Sequence, residues 1–63
     1  MLRELRTFLA VVRHGTFSAA GSAVGLTQSA VSAQIRNLEA DIGEPLFERT
    51  GRAVRLNAAG RRL

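Results

Sequence analysis

The 63 residues predict a mainly α-helical fold of three helices, a two-stranded hairpin and the start of a fourth helix. Two observations carry this. Residues 17–39 read FSAAGSAVGLTQSAVSAQIRNLE, a short helix, a tight break and a longer helix with two unlike sides. In residues 46–56, Phe47 and Arg49 and then Val54 and Leu56 suggest two short strands around a turn containing Gly51.

Met1 to about His14 is the first helix, with Leu2, Leu5, Phe8, Leu9 and Val12 expected on the core side and Arg3, Arg6 and Arg13 largely elsewhere. Gly15 ends it, and His14 is placed to favour its last carbonyls. The second helix is expected from about Ala19 to Val24, with Ser18 as its N-cap and Phe17 in the core. Thr16 and Ser18 stand where a helix N-terminus presents hydroxyls and N–H groups to a phosphate. Ala20, Gly21 and Ala23 let a neighbouring helix approach closely, while Val24 and Leu26 anchor the turn. Gly21 is unfavourable in a helix interior by about 1 kcal/mol relative to Ala, and tight packing against the next helix is the expected compensation.

Gly25 can take the left-handed conformation that closes a helix, and the Thr27 hydroxyl can cap the next one. Two helices joined by so short a turn containing Gly form a helix-turn-helix. In the third helix, from Gln28 to about Ile42, Val31, Ile35, Leu38 and Ile42 fall on one stripe. Ser29, Ser32, Ala33, Arg36 and Ala40 centre roughly opposite it. An ordinary solvated face would favour Glu, Lys and Arg. Small and hydrogen-bonding residues make instead a narrow surface that can enter the DNA major groove, where Gln, Ser and methyl groups read base edges.

The third helix ends near Gly43, and Pro45 stops any continuation. Phe47 and Arg49, then Val54 and Leu56, predict two short strands with Arg52 at the hairpin tip. Such a flap beside a helix-turn-helix is a wing, and an Arg at its tip can enter a narrow minor groove. Without that partner Arg52 is an exposed loop residue. Asn57 is expected to cap a fourth helix, Ala58 to Leu63, which reads as cut in mid-element. The expected organisation is therefore a winged helix-turn-helix over residues 1–57 and the start of a linker helix over 58–63.

Composition excludes several functions. There is no cysteine, so no disulfide framework or thiolate metal site, and the lone His14 builds no zinc site. No window reaches the length of a membrane span and no cleavable apolar signal opens the chain, so the protein is expected to be cytoplasmic. Residues 1–48 carry four arginines against five acids, a net charge of −1. Residues 49–63 carry five arginines and no acid, a net charge of +5. A basic segment beside a two-helix reader suits an anionic polymer.

The stretches TFSAAGSAVGLTQSAVSAQIRNLEADIG and PLFERTGRAVRLNAAG, at this separation, resemble the N-terminal domain of the LysR-type transcriptional regulators of bacteria. The resemblance covers the whole chain. It implies a winged helix-turn-helix that binds an interrupted palindrome in double-stranded DNA. By it, positions matching Gln28, Ser29, Ser32 and Ala33 read bases, and Arg52 reaches the minor groove. Positions matching Thr27, Gln34, Arg36, Arg49 and Thr50 lie near phosphates. The resemblance also implies a linker helix that pairs subunits into a homodimer or higher oligomer, and a larger domain binding a small-molecule inducer. No cofactor is expected within residues 1–63. Two positions depart from the family pattern. Gly21 replaces the second of an Ala pair, and Ala33 stands where Arg is common, offering only a methyl group to a base.

A winged helix used for protein contact is the competing class, and salt separates the two, because DNA affinity falls steeply with ionic strength. An enzyme finds no support: the chain has no Cys, no paired His and no Gly-rich phosphate loop after a strand.

Overall fold

The computed structural model describes residues 2–63 and follows the predicted order: α1 (Leu2–His14), α2 (Phe17–Val24), α3 (Gln28–Ile42), β1 (Phe47–Thr50), β2 (Ala53–Leu56) and α4 (Ala58–Arg61). The three long helices surround one core of Phe8, Val11, Phe17, Ala20, Val31, Ile35, Leu38, Leu46 and Val54. Val31, Ile35 and Leu38 are the predicted stripe of α3, buried as expected. Ile42 is 38% exposed, because the last turn of α3 runs past the end of the core.

On α1 the buried line is rotated from the expected one. Thr7, Phe8 and Val11 are its buried residues, whereas Leu2 and Leu9 are 84% and 64% exposed and Val12 is also exposed. Apolar character alone favoured the Leu2–Leu9–Val12 side. The burial of Thr7 becomes possible because its hydroxyl donates to the Gln34 side-chain oxygen of α3, which removes the penalty of an unpaired buried hydroxyl.

The start of α2 also differs from expectation. Helix α2 begins at Phe17, and its N-cap is Thr16, not Ser18: the Ala19 N–H donates to Thr16 Oγ1 at 3.0 Å. Thr16 has the extended backbone a cap requires (φ −141°, ψ 154°). It holds that shape because it pairs with Ala53 in an antiparallel bridge, beside a 2.9 Å hydrogen bond from Val54 N–H to the Gly15 carbonyl. The first turn of α2 and the second wing strand are thereby tied together.

Between α2 and α3 the chain turns as predicted. Gly25 is left-handed (φ 76°), and Thr27 caps α3 by accepting from the Ala30 N–H at 3.1 Å. Gly21 is buried, and a Cβ there would stand 2.5 Å from the Leu26 carbonyl oxygen and 3.4 Å from Val31 Cγ2. The close packing expected to offset its poor helix propensity is present, against both the turn and α3.

The wing is a two-stranded antiparallel sheet with Phe47 opposite Leu56, Glu48 opposite Arg55, Arg49 opposite Val54 and Thr50 opposite Ala53. Gly51 and Arg52 alone form the loop. Gly51 has φ 62°, and no non-glycine described residue has positive φ, which fits a two-residue turn with Gly at its first central position. The base of the wing is closed by polar contacts that composition does not announce. Glu39 accepts from the Leu46 N–H at 2.8 Å. Asn57 donates its side-chain amide to the Pro45 carbonyl at 2.9 Å and caps α4 by accepting from the Gly60 N–H at 2.9 Å.

Candidate nucleic-acid interface

Two depressions on one side of the molecule form a continuous face. The first is lined by Thr16, Phe17, Ser18, Ala19, Gln28, Arg49, Gly51, Arg52 and Val54. The second is lined by Phe17, Gln28, Ser29, Ser32, Arg36 and Arg49. Phe17, Gln28 and Arg49 belong to both, so the exposed side of α3 runs without interruption to the wing tip. Of the residues singled out by sequence, Ser18, Gln28, Ser29, Ser32, Arg36, Arg49 and Arg52 come together here.

Each is positioned by its element. Gln28, Ser32 and Arg36 are successive i, i+4 neighbours on α3, with Ser29 close beside them, one row of short polar groups ending in a guanidinium. Ser18 is exposed in the first turn of α2, where N–H groups lack intrahelical partners and the helix dipole favours an anion. Arg52 projects from the two-residue turn and is exposed. Arg49 lies with its guanidinium carbon 4.8 Å from the centre of the Phe17 ring, a cation–π arrangement.

Four predicted residues lie off this lining. Thr27 is exposed at the head of α3, and while its oxygen accepts from Ala30, its own O–H can still donate. Ala33 is exposed on the side of α3 away from the core, and Thr50 is exposed at the end of β1. Gln34 is the exception in kind. Its amide oxygen accepts from Thr7, and it lines a separate depression with Leu2, Arg3, Arg6, Val24 and Leu26. The structure therefore turns Gln34 toward α1 rather than onto the face with Gln28 and Arg36.

The basic tail is also divided. Of its five arginines, only Arg49 and Arg52 line the face. Arg55 stands opposite Glu48 across the wing, Arg62 approaches Glu44 at 3.6 Å, and Arg61 lines a different depression with Val12 and Leu56. Net charge located the basic segment without telling which arginines share a surface. Sequence reasoning placed Thr16 as a hydroxyl facing a phosphate and Phe17 in the core, but it did not find what each supports: Thr16 caps α2, and the Phe17 ring lies beneath Arg49.

Among the described residues no helix is long and apolar enough to cross a membrane, and no group of three or more His, Cys, Asp or Glu side chains is placed to hold a metal.

Comparison with known proteins gives this geometry a family. Residues 2–61 match the family described as bacterial regulatory helix-turn-helix protein, lysR family. The chain is 52% identical over 60 residues to the RuBisCO operon transcriptional regulator of Allochromatium vinosum, covering 95% of this chain and 20% of that protein. It is likewise 52% identical over 59 residues to the HTH-type transcriptional regulator CbbR of Rhodospirillum rubrum, covering 94% of this chain and 20% of that protein. The chain thus spans about a fifth of the length of these curated relatives. Among solved structures, the CbnR DNA-binding domain in complex with DNA superposes with a TM-score of 0.93 at 37% identity, over 98% of this chain and 71% of that one. The BenM DNA-binding domain on its benA site 1 DNA gives 0.89 at 39% identity, over 97% and 68%. With its fold, its turn and its wing all in place, the chain belongs to the LysR family of bacterial regulatory proteins and is a helix-turn-helix DNA-binding domain of that family.

Proposed function

We propose that this domain binds double-stranded DNA sequence-specifically, with α3 in the major groove and Arg52 in the adjacent minor groove. The observation that carries this reading is the single face on which Ser18, Gln28, Ser29, Ser32, Arg36, Arg49 and Arg52 meet. Gln28, Ser29, Ser32 and Ala33 are assigned to base edges, where amide, hydroxyl and methyl groups each have a partner. Ser18, Thr27, Arg36, Arg49 and Thr50 are assigned to phosphates, which fix register without reading sequence. Gln34 stays in the phosphate set through its amide NH2, because the Thr7 hydroxyl engages only its oxygen.

The same proposal places residues 1–57 in the DNA-binding unit and 58–63 in the start of a linker helix, in a cytoplasmic regulator. It assigns an interrupted palindrome as target, a homodimer or higher oligomer as the acting species, and any small-molecule inducer to a C-terminal domain, with no cofactor in residues 1–63. Selection from a random duplex pool, followed by salt titration on the best sequence, tests it. Half-sites about one helical turn apart and a steep loss of affinity with salt are expected. No enriched sequence and a flat salt response would transfer the face to a protein partner.

A further inference from the structure

Arg49 stands where the two halves of the face join, lining both the α3 depression and the wing depression. If α3 occupies a major groove and Arg52 the neighbouring minor groove, the sugar–phosphate ridge between the grooves must run through that junction. A free arginine there would sample many rotamers, and ordering it on binding opposes association. Arg49 is not free. Its guanidinium lies over the Phe17 ring at 4.8 Å, and Phe17 is itself fixed edge-on to Phe47, with centroids 6.4 Å apart and planes at 84°. Phe47 in turn packs on Phe8 at 5.4 Å. Phe17 cannot swing away, because it is buried and follows Thr16, whose backbone is bridged to Ala53.

We infer that Phe17 is a positioning residue for DNA binding: its ring holds the Arg49 guanidinium in place for the phosphate ridge between the major and minor grooves. This rests on the DNA-binding reading above. The contact with the ring uses none of the guanidinium's five N–H groups in a conventional hydrogen bond, so they remain for phosphate oxygens. Phe17 touches no DNA itself and acts through Arg49.

The test compares the chain with Phe17→Leu, Phe17→Tyr, Arg49→Met and the Phe17→Leu/Arg49→Met pair on a fluorescein-labelled random-sequence duplex. Phosphate contacts govern such binding, and one contact contributes about 0.9 to the slope of log affinity against log salt. Phe17→Leu and Arg49→Met should each lower that slope by up to about 0.9, the pair by no more than Arg49→Met alone, and Phe17→Tyr should retain it. An unchanged slope in folded Phe17→Leu, or additive losses in the pair, would overturn the inference. Phe17 is a core residue, so an independent readout guards against misfolding. In the unaltered chain the Arg49 side-chain protons should be shifted upfield by the ring current, and their appearance at random-coil positions would sink the inference without any variant. A flat salt slope in the unaltered chain would instead remove the DNA-binding reading, and the inference with it. A steep native slope left unchanged in folded Phe17→Leu removes only the inference.

Discussion

Thr16 pairs with Ala53 in an antiparallel bridge, so the residue that caps α2 is also the one that fastens the wing to it. One residue thereby serves two elements that meet the candidate ligand from different sides. Its hydroxyl satisfies the Ala19 N–H while its backbone, held extended by the bridge, cannot drift into the helix.

Thr16→Ala should therefore destabilise the domain by about 1 kcal/mol, the usual worth of an N-cap, while Ser18→Ala should stay within about 0.5 kcal/mol. Urea unfolding followed by helical circular dichroism measures both. The reverse ranking would return the cap to Ser18.

Gly60→Ala should be more damaging. A Cβ there would stand 2.3 Å from the Leu46 carbonyl oxygen and 2.7 Å from Leu56 Cδ2, and the first of these is backbone that cannot step aside cheaply. Overpacking of this kind costs about 1–3 kcal/mol, against a small domain's total of a few kcal/mol. A thermal melt at or above that of the unaltered chain would show that the close approach is absent in solution.

Gln28→Ala should weaken binding to the selected operator by about 1–3 kcal/mol and relax one base position. The side chain heads α3 in the centre of the face. Repeating the selection with the variant decides the matter, since an unchanged consensus would remove Gln28 from the base readers.

Arg52→Ala should reduce affinity more for operators flanked by A·T-rich sequence than by G·C-rich sequence. A narrow minor groove concentrates negative potential, and the two-residue turn presents this guanidinium at the wing tip. Equal losses on both flanks would assign Arg52 to phosphate alone.

Most of the fold was legible because local signals agreed. The Val31–Ile35–Leu38 stripe, the Gly25–Thr27 break, the Gly51 turn and the Asn57 cap each express a short-range preference that the tertiary structure keeps. What the sequence concealed depended on partners distant in the chain. Leu9 and Val12 are as apolar as Val11, and only the Thr7–Gln34 hydrogen bond across 27 residues marks which flank of α1 turns inward. Ser18 and Thr16 are both competent caps, and Ala53 decides between them. For the candidate face, α3 periodicity located Gln28, Ser29, Ser32 and Arg36, and the hairpin located Arg52. The Phe17 ring beneath Arg49 had no signal, because its neighbour is 32 positions away.

The two-residue wing loop has a metric consequence. With no slack beyond Gly51 and Arg52, the height of Arg52 above the domain is set by the four cross-strand pairs beneath it. Adding one pair would advance the tip by about 3.4 Å but also reverse the sheet face on which it arrives, because strand side chains alternate with a period of two. Only steps of two pairs, about 6.8 Å, would keep Arg52 on its present side. The wing's reach is therefore adjustable in coarse steps, not continuously.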